Sequence, residues 1–391
     1  MNLHGGRAVF AKELMDGLRD RRAIFSVVVS AVLGPALVLF MFNRMAVRQR
    51  AAQEIKVPVV GAERAQALVD WLRQQPGVEI TAGPKDPRAA VQNREEEYVL
   101  VIPGDFAEKF SKAMPAPVKI ISDSSRQTAR PKVQRLRQLL ARYSEEIGSL
   151  RLISRGLSPL AARTLRIDEV EISSAQQRAA TILSFIPMFI LMGAFVGGMQ
   201  VATDSTAGER ERGSLEPLLL NPVPRWQIVG GKWLASVMFA GVSASLTLLL
   251  CLFGLQYVDF QEFGLRFRMG PEIVGGLLAC ILPVALLAPA VQVVVATFAR
   301  SFKEAQSYLT LVVLLPLLPG FAITFYPMTS SVWTSPIPII GQYLIANDTL
   351  GGKPPGLLLH LIAGFSTLAL ALLLVMVATR LFERERIIFG R

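Results

Sequence analysis

Long apolar runs alternate with polar stretches along this chain, and the pattern predicts membrane-crossing helices. Each apolar run is long enough to cross a hydrocarbon layer of roughly 30 Å as a helix. There are six, at residues 24–42, 179–203, 234–257, 273–299, 309–326 and 357–379. Prolines inside several of them, among them Pro316 and Pro319, predict kinks.

Residues 1–23 precede the first run and show helical periodicity. Apolar positions share one face and charged positions take the other, which is typical of a helix lying in the membrane interface. The apolar face carries Phe10, Ala11, Leu14, Met15 and Leu18, and the polar face carries Lys12, Glu13, Asp16, Arg19 and Asp20.

Residues 43–178 are densely charged, and no run in them is long enough to span a bilayer. Short β-type stretches at 56–60 and 78–81 alternate with helical stretches at 63–74 and 130–155. This alternation predicts a small α/β domain. It contains no glycine-rich phosphate loop, no metal-ligand cluster and no catalytic triad pattern.

The composition agrees with an integral membrane protein. Of the 391 residues, 52% are hydrophobic and 18% are charged, whereas soluble domains carry about a quarter charged residues. We read the net charge of +11 as lysines and arginines that anchor spans and face anionic lipid, and not as a nucleic-acid site. The predicted fold is a polytopic α-helical membrane protein with six transmembrane helices and an α/β domain inserted between helices 1 and 2.

Positive charge in the short loops predicts the orientation, because such loops are mostly cytoplasmic. One side carries Arg7, Lys12, Arg19, Arg21, Arg22, Arg210, Arg212, Arg225, Lys232, Arg300, Lys303, Arg380, Arg384, Arg386 and Arg391, and the other only Arg266, Arg268 and Lys353. Both termini are therefore predicted to be cytoplasmic and residues 43–178 extracytoplasmic. The segment 204–233, between the second span and the 234–379 region of spans three to six, is then cytoplasmic, as is the tail 380–391.

The segment 204–233 has an unusual pattern, with four consecutive charges before a glycine and a leucine-rich turn. Gly213 predicts a helix break, Ser214 an N-cap, and Asn221-Pro222 the end of a helix over 215–221. Glu209 with Arg212, and Arg212 with Glu216, are spaced for helix-type ion pairs, which a break at Gly213 would interrupt. Two alternatives remain open from these residues alone. One is a rigid binding element, and the other is a solvated loop whose leucine edge touches lipid.

Three stretches resemble a known family. "GERERGSLEPLLLNPVPRWQIVGGKWLA" is similar to the cytoplasmic segment of type-2 ABC exporter permeases, in which it forms the coupling helix that docks on the ATPase subunit. "KELMDGLRDRRAIF" resembles the N-terminal stretch of NatB-type (sodium-efflux) ABC permeases, and "IPIIGQYLIANDTLGG" resembles the segment before their last span. The layout of one span, a large external domain and five more spans is similar too.

The resemblance implies site residues and partners. The ATPase-coupling positions would be Glu209, Arg210, Glu211, Arg212, Gly213, Ser214, Leu215, Glu216 and Pro217, and the interfacial helix beside them would contribute Lys12, Glu13, Leu14, Arg19, Asp20 and Arg21. It implies an ABC ATPase subunit that binds ATP and Mg, a second permease copy in a homodimer or heterodimer, and a bacterial inner-membrane location. "GGKW" and "GGKP" lack the full phosphate-loop pattern, so no catalytic site is predicted in this chain.

The cargo stays open at this point. A cation path through lipid usually shows acidic or polar side chains facing the bundle interior. The candidates are Gln200, Asp204, Gln292, Thr297, Gln306, Ser307, Thr310, Thr324 and His360, and only one of them is acidic. Hydrogen bonding between helices would account for most of them. Sodium efflux therefore rests on the resemblance, and export of an amphipathic drug, peptide or lipid is the alternative. A membrane sensor with an extracytoplasmic ligand-binding domain is the alternative from another class.

Overall fold

The computed structural model describes residues 4–162 except 124 and 127, and residues 183–258, 260, 270–326 and 328–384. The chain divides into two compact units, one formed by residues 1–42 with 172–391 and the other by residues 43–171. Some predictions lie outside the described residues. These are the end of the 43–178 domain, the start of the second span, and the four arginines Arg266, Arg268, Arg386 and Arg391.

The chain begins with two helices, α1 (His4–Arg19) and α2 (Arg21–Gln53). Asp20 lies between them, and its side-chain Oδ1 accepts a hydrogen bond from the backbone N–H of Arg22 at 2.9 Å. This bond satisfies one of the donors that every helix leaves unpaired at its start. Asp20 therefore helps to set the point where the polar first helix ends and the apolar second helix begins.

The unit formed by residues 43–171 contains a four-stranded mixed sheet. Its strands are β1 (Ile55–Val60), β2 (Val78–Ala82), β3 (Tyr98–Val101) and β4 (Lys119–Ser122), in the order β2-β1-β3-β4. β1 runs parallel to β2 and β3, and β4 runs antiparallel to β3. Its helices are α3 (Gln66–Arg73), α4 (Pro87–Gln92), α5 (Phe106–Ser111) and α6 (Ala129–Ser154).

The core of this unit lies where the sheet meets α3, α5 and α6. Buried side chains from all of these elements form one cluster, which includes Val57, Leu72, Leu100, Phe106 and Leu136. Burial of large aliphatic side chains such as these stabilises a fold by about 1.5–3 kcal/mol each. The observed strands and helices agree with the predicted stretches at 56–60, 63–74, 78–81 and 130–155 to within a few residues.

The other unit is helical. After α1 and α2 it contains α7 (Phe185–Thr203), α8 (Leu215–Leu220), α9 (Arg225–Leu255), α10 (Pro271–Phe298), α11 (Phe302–Val312), α12 (Leu317–Phe325), α13 (Ile340–Leu350) and α14 (Leu357–Glu383). Within the described residues, six helical stretches are long and apolar enough to cross a membrane, at Arg21–Arg44, Phe185–Glu211, Arg225–Leu255, Pro271–Phe298, Phe302–Ile323 and Leu357–Glu383. They correspond one to one with the six predicted spans.

The fifth span is interrupted just before Pro316, in the region where prolines predicted a kink. α11 ends at Val312, and the next residues make tighter bonds from each N–H to the carbonyl three residues earlier, as from Leu315 to Val312. Pro316 then stands at the start of α12. Because proline has no N–H to donate, it is tolerated at the first positions of a helix but not in its interior.

One buried helix was not predicted. α13 lies between the fifth and sixth spans, and most of its side chains, including Gln342, Tyr343 and Leu344, are buried. Gln342 donates hydrogen bonds to the carbonyl of Ala363 and to Thr367 Oγ1 in α14. The residues of "IPIIGQYLIANDTLGG" are thus part of the packed bundle. The run was missed because it is too short to be read as a span.

Candidate coupling site

The second span continues past Thr203 into the stretch that was predicted to be a cytoplasmic loop. α7 runs on through a π-helical turn at Asp204–Gly208 and a last helical turn at Glu209–Glu211. Such π-helical turns are rare and often occur at functional sites. The charged run 209–212 is therefore the end of a membrane helix. A displacement of this run would act directly on the second span.

Gly213 ends this helix, as predicted. Its φ of 67° lies in the left-handed region, which glycine enters without the steric cost that a Cβ imposes. Its N–H donates to the carbonyl of Arg210, and the N–H of Ser214 donates to the carbonyl of Glu209, each at 3.0 Å. These two bonds form a Schellman ending, which satisfies carbonyls that the helix would otherwise leave unpaired.

Ser214 was predicted to cap α8 through a side-chain hydrogen bond, and this prediction is wrong. Ser214 does precede α8, but its side chain makes no capping bond to that helix. Its backbone is already helical, with φ −82° and ψ −13°, whereas a capping side chain normally requires an extended backbone. The hydroxyl donates instead to the carbonyl of Glu209 at 3.2 Å. At the other end Asn221 stops the helix as predicted, and its Nδ2 donates to the carbonyl of Pro217.

The predicted ion pairs of Arg212 are also wrong. Arg212 pairs with Asp204, with Nη1 2.8 Å from Oδ1 and Nη2 3.1 Å from Oδ2. The π-helical turn changes the angular spacing, so that residues eight apart meet on one face, and Gly213 turns the chain away before Glu216. The hydrogen bond that Arg212 donates to Asp204 is the main cause that raises the pKa of Arg212 above its usual value.

Glu209 lies at the centre of a buried ion network, by which we mean Lys12, Glu13, Glu209 and Lys232. The Nζ of Lys232 lies 2.5 Å from Glu209 Oε2 and 2.7 Å from Glu13 Oε1. Lys232 is 0% exposed, Glu209 3% and Glu13 4%. Lys12 completes the network with contacts to Glu13 at 3.1 Å and to Glu209.

The network balances two cations against two carboxylates, and Glu13, Glu209 and Lys232 are buried while Lys12 is exposed at its edge. Moving one charge out of water costs several kcal/mol, so a buried ion is retained only when it is paired and hydrogen-bonded. Burial lowers the pKa of Lys12, but the hydrogen bond and the charges of Glu209 and Glu13 outweigh it and hold this pKa above its usual value. Lys12 is therefore cationic at neutral pH, and the network joins α1, the end of α7 and the start of α9.

Arg210 and Glu211 connect the same run to two further spans. Arg210 Nη1 donates to the carbonyl of Ala299, just after α10, at 2.6 Å. Glu211 Oε2 accepts from the backbone N–H of Phe302, the first residue of α11, at 2.6 Å. Each charged side chain of 209–212 therefore makes an ion pair or a hydrogen bond within the protein, and residues 209–211 are helical.

α8 packs against the bundle through two of its leucines. Leu215 and Leu219 are buried in one cluster with Val9, Ile228 and Phe382. Leu218 is half-buried at the edge of this cluster. The opposite face is exposed and consists of Glu216, Pro217, Leu220 and Asn221, with Leu220 86% exposed. We call these four residues the docking face.

Only some of the residues predicted for the interfacial helix belong to this site. Lys12 and Glu13 belong to the buried ion network, and Leu14 packs beside Phe239 and Val201. Arg19 and Arg21 are exposed, and Asp20 binds the start of α2. The buried face of α1 contains Val9, Glu13 and Gly17. Glu13, which was placed on the polar face, is thus on the buried face, and Met15 and Leu18 of the apolar face are exposed.

Lys232 belongs to the candidate site but was not predicted as a site residue. It counted only as one more positive charge in a loop, although it lies in α9 between Gly231 and Trp233. A lysine inside the apolar part of a helix needs a buried partner, and that requirement was the available signal. Gly231 makes the approach of α1 possible, since a Cβ there would lie 2.9 Å from Val9 Cγ1 and 3.0 Å from the backbone nitrogen of Phe10.

Most of the polar positions considered for a cargo path are bonded within the bundle. Gln292 donates to the carbonyl of Phe195 across two helices. Thr297, Ser307 and Thr310 each donate to a carbonyl four residues earlier in their own helix. His360 faces the carbonyl of Gly356 at 3.4 Å. The described residues include no cluster of three or more histidine, cysteine or acidic side chains that could hold a metal ion.

Comparisons with known proteins assign the family. The profile of the family described as "ABC-2 family transporter protein" matches residues 21–377. The chain is 30% identical over 320 residues, 81% of each chain, to "ABC transporter permease protein NatB" of Bacillus subtilis (strain 168). It is 24% identical over 178 residues, 45% of this chain and 46% of the relative, to "Probable multidrug ABC transporter permease YbhR" of Escherichia coli (strain K12). The chain belongs to the ABC-2 transporter family and is a NatB-like type-2 ABC permease.

Proposed function

We propose that this permease serves an ATP-driven exporter and that residues 209–220 transmit the motion of its ATPase subunit to the spans. Membership of the family implies an ABC ATPase partner. The ATPase subunit would bind ATP and Mg, and the permease would pair with a second copy, the same or related. We place the complex in a bacterial inner membrane, with both termini in the cytoplasm and residues 43–178 outside.

The buried ion network is the observation that carries this proposal. Two subunits that close on ATP move as rigid bodies, and such a motion reaches the spans only through an element that does not flex. Glu209 connects the segment to α9 through Lys232 and to α1 through Lys12. Arg210 and Glu211 connect it to the end of α10 and the start of α11.

The docking face supports a partner at this position. Leu220 is 86% exposed next to Pro217 and Glu216, while the other side of α8 is fixed by Leu215 and Leu219. A short rigid helix with one apolar residue among polar ones resembles the anchor-and-rim arrangement of protein interfaces. In the proposed complex Leu220 is the anchor, and a pocket on the ATPase subunit receives it.

Two candidate cargoes are proposed. Sodium efflux is the first candidate, and it rests on the resemblance to NatB-type permeases alone. Export of an amphipathic compound is the second candidate, and two findings favour it. The described polar side chains of the bundle are largely used in bonds within and between helices, and one of the relatives is described as a probable multidrug permease.

The coupling proposal is tested by purifying the tagged permease from its native host. We expect an ABC ATPase chain to co-purify with it, and the absence of any such chain would contradict the proposal. The cargo is tested separately by measuring ATP hydrolysis by the reconstituted complex with sodium, drugs and lipids. Stimulation by sodium over potassium supports sodium efflux, and stimulation by amphipathic compounds supports the second candidate.

A further inference from the structure

A cavity of about 340 Å³ in the unit of residues 43–171 is lined mainly by apolar side chains, with Tyr143, Ser144 and Arg151 as its polar residues. It lies between α6, α5 and the loop that leads from α5 to β4. Its walls include Leu68, Phe106, Phe110, Leu140, Tyr143 and Ile147. This volume falls within the range of roughly 300–1,000 Å³ that is typical of small-molecule sites.

A second cavity of about 500 Å³ shares three lining residues, Ala113, Gly148 and Arg151, with the first. Its additional lining is more polar and includes Glu145, Ser149 and Arg155. The two cavities therefore form one groove along α6, with an apolar end and an end where two arginines accompany one carboxylate. A molecule that fills both ends must be amphipathic, and the charge balance favours an anionic headgroup.

Arg151 stands where the two ends meet, and its position is fixed. Its Nη2 donates to the carbonyl of Phe110 at 2.7 Å, and its guanidinium carbon lies 4.5 Å from the centre of the Phe110 ring. A guanidinium has five N–H donors in a planar fork, and the bond to Phe110 uses one of them. A guanidinium that is held in this way loses little conformational freedom when it binds a carboxylate or phosphate.

Two backbone features border the groove, Ala113 in the loop wall and Gly148 in α6. Ala113, in the loop wall, has φ 58°, a left-handed conformation that costs a non-glycine residue about 1–2 kcal/mol. The N–H of Ala113 donates to the carbonyl of Phe110 and the N–H of Met114 to that of Lys109, so this conformation forms the Schellman ending of α5. On the opposite wall, a Cβ at Gly148 would meet no atom within 4 Å. The absence of a side chain there leaves the passage between the two cavities unobstructed.

We propose that this groove binds a single-chain amphiphile with an anionic headgroup. The hydrocarbon chain occupies the apolar cavity, and Arg151 and Arg155 bind the headgroup. The shared chemistry covers a fatty carboxylate and an alkyl phosphate. This site is independent of the coupling function proposed above, because its residues all belong to the α/β unit.

The experiment uses the full chain in phosphatidylcholine nanodiscs and a photoreactive diazirine derivative of octanoate. Octanoate is short enough to stay largely in water, and labelled peptides are identified by mass spectrometry. We expect labels within residues 106–118 and 140–155. Octanoate and octyl phosphate should compete, and their relative strength tells carboxylate from phosphate, whereas octanol and octyltrimethylammonium should not. Labelling confined to the spans, or equal competition by octanol, would overturn the proposal.

Variants test the two ends of the groove. Gly148→Trp fills the passage and should remove the specific label. Arg155→Gln should weaken competition by octanoate about tenfold, as expected for the loss of one charge-assisted hydrogen bond. Arg142→Gln is the matched control, because Arg142 is exposed on the same helix and lines neither cavity. If Arg155→Gln and Arg142→Gln bind octanoate equally, the headgroup site is refuted. Far-ultraviolet circular dichroism verifies that each variant is folded.

Discussion

The Nζ of Lys232 lies 2.5 Å from Glu209 Oε2, and neither side chain has appreciable access to solvent. The two residues belong to different parts of the permease, since Lys232 is in the third span and Glu209 is at the end of the helix that forms the second. An ion pair buried this deeply connects the proposed coupling segment to the bundle more firmly than surface charges would.

Replacing Lys232 by methionine should strongly destabilise the protein. The change leaves Glu13 and Glu209 with Lys12 as the remaining cation of the network, and an uncompensated buried charge costs about 3–5 kcal/mol. We expect a clear fall in the unfolding temperature of the detergent-purified protein. The double variant Lys232→Met with Glu209→Gln should lose less than the sum of the two single variants. Additive losses would show that the two side chains are not coupled.

Replacing Arg212 by glutamine should have a much smaller effect on stability. Its side chain is 55% exposed and that of Asp204 is 41% exposed, and an exposed ion pair contributes about 0–1 kcal/mol. The same measurement of the unfolding temperature therefore distinguishes the exposed ion pair of Arg212 from the buried ion pair of Lys232. A loss as large as that of Lys232→Met would contradict the distinction between them.

Gly231 and its neighbour Gly230 offer a matched pair for testing the contact between α1 and α9. A Cβ at Gly231 would lie 3.0 Å from the backbone nitrogen of Phe10, whereas a Cβ at Gly230 would meet nothing within 4 Å. Gly231→Ala should therefore displace α1, while Gly230→Ala should be neutral or slightly stabilising, since alanine favours helices. A disulfide cross-link engineered between α1 and α9 would report this displacement as a lower yield. Equal yields in the two variants would contradict the close approach.

Gly213 should tolerate asparagine better than alanine. Its φ of 67° costs alanine about 1–2 kcal/mol, and asparagine enters this region more readily. Both side chains would enter open space, since a Cβ there meets nothing within 4 Å. The two variants therefore differ only in the free-energy cost of the left-handed backbone conformation. We expect lower ATP-driven transport for Gly213→Ala and near-normal transport for Gly213→Asn. The reverse order would show that the helix ending at Gly213 does not matter for transport.

The sequence predicted the spans and the elements of the α/β unit well, because both depend on local composition and periodicity. The apolar runs correspond one to one with the six membrane-length helices, and Gly213 and Asn221 stop helices as expected. The site was predicted less well. The π-helical turn at 204–208 is not visible in residue spacing, and it changes the partner of Arg212 from Glu216 to Asp204.

The buried ion network depends on tertiary packing, which sequence spacing does not encode. Glu13 and Lys232 are 219 positions apart in the chain. Glu13 was placed on the polar face of an amphipathic helix, and Lys232 was counted as a loop charge. A glutamate and a lysine near apolar runs each required a partner of opposite charge. Nothing local to either residue indicated that the two pair with each other.

The central claim is that the docking face of α8 binds the ATPase subunit. The most direct measurement is the amount of ATPase chain that co-purifies with the tagged permease when Glu216→Lys is compared with Glu383→Lys. Both carboxylates are exposed and both are predicted to be cytoplasmic, but only Glu216 lies on the docking face. We expect Glu216→Lys, and more strongly Leu220→Asp, to remove the ATPase chain without lowering the unfolding temperature, while Glu383→Lys retains it. If the amount of co-purified ATPase chain is undiminished in both Glu216→Lys and Leu220→Asp, the docking face does not bind the ATPase subunit.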